Sequence, residues 1–295
     1  MGTTSNSPAS DNSPRHFDVH DAYWYTPLEE RQHSAVPLSG KQTTFTTNIR
    51  RASLLVDPPD RLSLYGVAFE PGFYIPTHFH EVDQFLLVIR GEFSMGSHRL
   101  RLGQGAFMPA GNPYNVTWGR AGGSFLEFRE TPAYQTAFSV KDAPLIGPNA
   151  PTAIPGWSKP KDDRRKTVFF DAETCPRIEC AGFGPGDQAI NAPSVLTGSA
   201  CYQALHMSDD NGYSMISVAI DGALDVPCHQ QDSDKILYVL SGEMRLQGTS
   251  SPLRSGSGMF VSGKTPIDLS TGPAGVKYLE FRKQSRWATQ WMGRA

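Results

Sequence analysis

His78 and His80 form an H-x-H pair just after Pro76, and Gln84 stands four residues beyond His80. Side chains alternate along a strand, so positions 78, 80 and 84 share one face if this segment is extended. Two neutral imidazoles delivered by one strand suit a first-row transition metal, which binds histidine nitrogen at about 2.0–2.1 Å. Gln84 adds an amide on that face, either as a ligand or to orient a bound water. Tyr114 is the second candidate for chemistry. Its phenol can ligate, hydrogen-bond a substrate, or exchange a proton. Phe69, Tyr74, Phe107 and Trp118 are candidate walls of the same pocket, with ordinary core packing as the alternative.

Holding these side chains requires strands and tight turns. The 295 residues include 28 Gly and 23 Pro, and only 19% are charged. Such a composition favours short strands joined by turns over long surface helices. Phe85 to Ile89 is a β-rich apolar run, as in a strand buried on both faces. Gly72, Gly91, Gly103, Gly105, Pro109 and Gly111 punctuate the segments around it.

The pattern occurs twice. Residues 67–92 align without a gap on residues 218–243, at an offset of 151. Gly103 to Gly105 recurs as Gly256 to Gly258 after a two-residue insertion, and Phe125 to Arg129 recurs as Tyr278 to Arg282. The second copy keeps His229 but has Gln231 for the second histidine, Lys235 for Gln84 and Ile267 for Tyr114. An ammonium beside one imidazole repels a cation, so the chemistry is expected in the first copy alone. Asp83 has the opposite parity to Gln84 and recurs as Asp234, which points to a shared structural role.

Gly72, His78, His80, Gln84 and Gly91, followed by Gly105, Pro109 and Gly111, resemble the two signature motifs of the cupin superfamily. With the repeat, the chain resembles a bicupin. The resemblance implies an all-β fold of two tandem double-stranded β-helix (jelly-roll) barrels. The expected layout is a disordered tail over 1–18, a first domain over 19–131, a Pro-rich extended linker over 132–166, and a degenerate second domain over 167–295. A short C-terminal helix is expected over 284–294, because Trp287 and Trp291 lie four residues apart. Gln84 stands in the family's Glu place, and Tyr114 where its last ligand His stands.

What the resemblance implies about activity is a mononuclear metal enzyme. The leading expectation is an Fe(II) dioxygenase for a small aromatic or enolic substrate, with Mn, Ni or Zn as other metals. A redox-neutral lyase or isomerase and a non-catalytic binding bicupin are the alternatives. Cupins often pair barrel edges, so the resemblance leaves room for a homodimer or larger oligomer, which the sequence itself does not show.

Net charge is -2, so no basic footprint for nucleic acid is expected. No apolar run approaches the ~20 residues of a membrane helix. The first fifteen residues lack the apolar stretch of an export signal, so a cytoplasmic protein with free Cys175, Cys180, Cys201 and Cys228 is expected. Glu81, His98, His206, His16, His20, His33 and the run Arg164 to Lys166 are expected to be solvated or structural.

Overall fold

The computed structural model describes residues 14–25, 49–55, 62–131, 135–146, 150–161, 163–174, 178–179, 194–196, 198–208, 212–247 and 249–292. In chain order the strands are β1 (Arg15–Asp18), β2 (Ile49–Leu55), β3 (Ser63–Phe69), β4 (Tyr74–His80) and β5 (Gln84–Met95). Next come β6 (His98–Arg101), β7 (Gln104–Met108), β8 (Tyr114–Arg129), β9 (Thr136–Phe138) and β10 (Val168–Asp171). The second half holds β11 (Ile178–Glu179), β12 (Ala200–Met207), β13 (Ser214–Ile220), β14 (Asp225–Gln231) and β15 (Lys235–Leu246). It ends with β16 (Leu253–Arg254), β17 (Ser257–Val261), β18 (Ile267–Arg282) and β19 (Thr289–Trp291). One short helix, α1 (Ala143–Ile146), lies between β9 and β10.

The fold is all-β, in two antiparallel sheets of matching order. The first runs β10-β7-β5-β8-β3-β2, with β4, β6 and β9 alongside. The second runs β1-β17-β15-β18-β13-β12-β11, with β14, β16 and β19 alongside. Apart from β11, which extends the second sheet beyond the equivalent of β2 among the described residues, the repeat seen in the sequence is a repeat of the fold.

The outer strands differ from the expected layout. β1 was expected in a disordered tail, yet Arg15 to Asp18 pairs with Phe260 to Ser257 of the second barrel. β10 lies in the stretch assigned to the second domain, yet Val168 to Asp171 pairs with Phe107 to Gln104 of the first. The two strands occupy equivalent places in the repeat: Phe17 and Asp18 correspond to Phe170 and Asp171. A side chain at Gly258 would collide with the Phe17 ring, and one at Gly105 with the Phe170 ring. Each copy therefore lends its first strand to the other copy's edge, docked by the same aromatic-on-glycine contact.

The expected C-terminal helix is also replaced. Residues 289–291 form β19, which pairs with His229 to Gln231, and Trp287 packs into the second barrel's core. β14 offers an unpaired edge there, and the ladder satisfies backbone groups that a helix of two turns would have to satisfy alone. The equivalent strand in the first copy is β9, paired with His78 to His80. Residues 132–166 are thus not merely linker, since they hold β9 and α1.

Three apolar clusters organise the interior. One fills the first barrel around Val67, Leu86, Val88 and Phe125. Another fills the second around Val218, Leu237, Val239 and Tyr278. The third lies between the barrels, where Phe85, Phe107 and Phe128 meet Ile236, Phe260 and Phe281. No helix among the described residues is long and apolar enough to cross a membrane.

Candidate active site in the first barrel

β4 carries His78 and His80 inward, 5% and 7% exposed. Its pairing with β8 shifts register between Ile75 and His78. Pro76 has no N–H to offer the ladder, which is where a bulge is tolerated. The shift sets His78 opposite Tyr114, with ring centroids 4.3 Å apart. Tyr114 thus reaches the histidines through strand register, a relation invisible in the linear motif.

Each imidazole is anchored through Nδ1. His78 Nδ1–H donates to the Pro76 carbonyl at 2.8 Å. His80 Nδ1 lies 3.1 Å from the Gln135 carbonyl and 3.0 Å from Thr136 Oγ1. A carbonyl only accepts, so Nδ1 bears the proton and Nε2 keeps its lone pair. Glu81 supports this arrangement, because its carboxylate accepts the Gln135 N–H at 2.6 Å. Burial lowers His78 to about 4, aided by the Arg129 charge and opposed by the Pro76 carbonyl. Burial, then Arg129 and His78, hold His80 well below its usual value. Both rings are neutral at pH 7, the form that ligates metal.

Gln84 begins β5 and is 1% exposed. Its Nε2 donates to Tyr114 Oη at 2.7 Å, and its Oε1 accepts from Arg129 Nε at 3.2 Å. Arg129 also pairs with Glu127. Arg129 fixes the amide's orientation, since turning it over would set two donors against each other. Gln84 therefore bridges Arg129 and Tyr114, with its oxygen committed to the guanidinium. Tyr114 Oη accepts from this amide, so its own proton serves a different acceptor.

His78, His80 and Tyr114 line a cavity of about 190 Å³, room for about six waters at liquid density. Val67, Phe69, Ile75 and Phe125 form an apolar wall, and Arg51, Glu127, Arg129 and Thr136 join the histidines on the polar side. Of the four expected aromatics, only Phe69 lines the cavity. Trp118 stacks behind it, 5.1 Å between centroids. Phe107 points the other way, into the inter-barrel cluster, because its neighbours Ala106 and Met108 take the first barrel's face. Tyr74, at the mouth of β4, is 41% exposed.

The segment after β8 closes the site. Phe138 and Pro151 line the cavity, and Asp142 accepts the Thr77 N–H at 3.2 Å. Arg165, expected in a solvated linker end, pairs with Asp83 and Asp163. Asp83 also accepts the Ala110 N–H at 2.8 Å, and Asp234 does the same for Gly263 at 2.7 Å. The repeated aspartates pin equivalent loops, as expected.

No family model matches the sequence, and no curated protein matches it. Solved structures do match. A provisionally assigned dioxygenase from Nostoc punctiforme PCC 73102 superposes with a TM-score of 0.65 at 15% identity, covering 93% of this chain and 84% of that one. Bacillus subtilis oxalate decarboxylase gives 0.54 at 13% identity, over 99% and 80% of the two chains. The coconut allergen cocosin gives 0.54 at 10% identity, over 83% of each.

The chain folds as a bicupin. Its second cupin barrel has no imidazole pair. His229 is 2% exposed, with Nδ1 on the Pro227 carbonyl at 3.0 Å. Lys235 Nζ and Arg282 both donate to Gln231 Oε1, at 2.5 and 2.6 Å. Both cations also pair with Glu280. An ammonium thus stands in Gln84's place, tied into a buried network.

This network makes His229 a reporter of acid stability. Burial and the Lys235 charge lower it to about 4, against 6.5 when exposed. Between those values the unfolded chain binds the proton and the folded chain does not. The resulting stability is present in full above pH 6.5 and lost as pH falls toward 4, on the order of 3 kcal/mol. Urea midpoints from pH 7 to 4.5 should fall less steeply in His229→Asn than in the native chain.

Sequence reasoning missed Arg51, Glu127, Arg129 and Thr136. A signal existed for two of them. Glu127 and Arg129 alternate with apolar residues in a buried strand and recur as Glu280 and Arg282. Charges at core positions, kept in both copies, mark a buried pair.

Proposed function

We propose that the first barrel is a metal-dependent enzyme site for a small organic molecule, with Fe(II)-dependent dioxygenation as the leading chemistry. The carrying observation is the histidine pair, with both Nδ1 atoms anchored on backbone carbonyls and both rings lining one cavity. Metal-ligating histidines have this arrangement, because an anchored Nδ1–H fixes the tautomer and aims Nε2 at the ion. Among the described residues no set of three or more His, Cys, Asp and Glu side chains is gathered for a metal. The donor set that fits is therefore His78 and His80, with the Tyr114 oxygen as third.

A divalent ion there supplies Lewis acidity and, as iron, access to dioxygen through open positions. The chain does the rest. Phe69 and its apolar neighbours exclude water and seat an aromatic or enolic body. Gln84, held by Arg129, orients Tyr114. Tyr114 exchanges a proton with the substrate. That last role equally serves a redox-neutral lyase or isomerase, and the Tyr114–Gln84 bond supports this second reading.

Metal content of the purified protein tests the proposal. Near-stoichiometric iron, manganese, nickel or zinc is expected, falling to background in His78→Ala and His80→Ala while circular dichroism is unchanged. Metal-free native protein, after supplementation with each ion, would sink both enzymatic readings and favour a binding module. Oxygen uptake against small phenols and enols separates the two chemistries: substrate loss without oxygen consumption overturns dioxygenation.

A further inference from the structure

β8 runs between β5 and β3 in the first sheet, and its side chains alternate in direction. Leu126 and Phe128 pack into the cluster between the barrels. Phe125, Glu127 and Arg129 have the opposite parity, and all three line the cavity. Glu127 is 7% exposed. Its Oε2 accepts from Arg129. Its Oε1 takes no hydrogen bond among the described residues, and it is not sealed from solvent. Since the side chain points inward from a central strand, that oxygen opens on the cavity.

The second barrel shows how the same oxygen is occupied elsewhere. Glu280 is the repeat's equivalent of Glu127, and its Oε2 likewise accepts from an arginine, Arg282. Its Oε1, however, pairs with Lys235 Nζ at 3.6 Å. In the first barrel Gln84 holds the lysine's place, and its amide is turned to Arg129 and Tyr114. One exchange, amide for ammonium, thus leaves a carboxylate oxygen without its cation in the barrel that has the imidazole pair. A ligand that displaces water from such an oxygen must replace the hydrogen bond it removes.

A carboxylate oxygen accepts and does not donate, so the group that meets it must bring a hydrogen. An ammonium would face the Arg129 charge held against the same carboxylate. The complement is a neutral O–H. With Phe69 and Phe125 in its lining, the cavity of about 190 Å³ has room for one small ring. We infer that the first barrel takes a small neutral hydroxylated ring, phenolic or enolic, whose O–H donates to Glu127 Oε1. Glu127 is then the specificity residue, because it separates a free hydroxyl from the ether of the same ring. This rests on the cavity being a substrate site, and it holds for either reaction proposed there.

Phenol and anisole, the same ring with the hydroxyl hydrogen replaced by methyl, are the probes. Binding is measured by calorimetry on the full chain, with metal content determined on the same samples. Phenol should bind about ten- to a hundredfold more tightly than anisole, the worth of a hydrogen bond to a charged group. In Glu127→Gln, Arg129 holds the amide oxygen and leaves the NH2 to the cavity. That group donates to phenol and anisole alike, so their affinities should come within about threefold of each other, with metal content unchanged. Comparing the ratio in native and variant protein cancels the difference in probe size. Glu127→Asp keeps the charge opposite Arg129 but draws the oxygens back by a methylene, and should lose part of the preference. Glu127→Gln strands the Arg129 charge; should it fail to fold, the Asp variant decides in its place. No binding of phenol, equal binding of the two probes by the native protein, or an unchanged ratio in the deciding variant overturns the inference. If metal is present in that case, the metal-enzyme reading survives. A preference that is lost in the variant of a metal-free protein would support the role of Glu127 and sink the metal reading alone.

Discussion

Glu280→Gln should lower the unfolding free energy by about 3–5 kcal/mol, the typical cost of removing one partner from a buried ion pair. Glu280 is 1% exposed and sits between Arg282, 0% exposed, and Lys235, 2% exposed. Burial pushes its carboxyl up, but the Arg282 and Lys235 charges outweigh that and hold it below its usual value. The glutamine keeps the volume of the side chain, so no cavity forms and the effect reports on the lost charge and on the acceptor oxygen replaced by an NH2 donor. Two cations remain inside the barrel, with Arg282 also lying over the Trp287 ring at 4.1 Å. Urea denaturation at pH 7 checks this. A loss under about 1 kcal/mol would mean that Lys235 and Arg282 are compensated from elsewhere. Replacing Lys235 by methionine in the same background should restore part of the loss, because it removes one of the stranded charges.

Phe281→Ala should cost about 3–5 kcal/mol, the range for truncating a buried phenylalanine. Its ring is 1% exposed and meets Phe85 and Phe128 of the first barrel, at centroid distances of 5.3 and 5.4 Å. The residue belongs to the second barrel but packs against the first. Its loss should therefore loosen the joint between barrels as well as lower the melting temperature. Calorimetry would show this as a broadened or split transition, where the native chain gives one. A single sharp transition at an unchanged temperature would show that the seam is held by other contacts.

Much of the architecture was legible because it is written twice. A gapless repeat of 26 residues carries its own alternation and turns, so strand order in one copy checks strand order in the other. The inward direction of His78 and His80 followed from parity alone. What stayed hidden depends on contacts across strands. Tyr114 meets His78 only because β4 slips register at Pro76. Phe107 was misplaced because an apolar strand buried on both faces gives no periodicity to say which face serves the pocket. The C-terminal strand was misread because two tryptophans four residues apart satisfy helical spacing, although Trp287 precedes the strand and only Trp291 lies in it. The equivalence of Thr136 to Phe138 with Thr289 to Trp291 was the available counter-signal. Arg51 left no trace in the sequence, since two adjacent arginines in a strand read as solvated.

The crossing of β1 and β10 makes the two halves of this chain mutually dependent. Severed between the repeats, each half would carry away the strand that finishes its neighbour. Each would also expose a bare glycine-containing edge at β7 or β17, the kind of surface that recruits foreign strands. The second barrel has no imidazole pair, yet it cannot be shed. It supplies Phe170 to the sheet that carries Gln84, and the first half supplies Phe17 in return. The two barrels are clasped, and any chemistry in one is underwritten by the other's first strand, Arg15–Asp18 or Val168–Asp171.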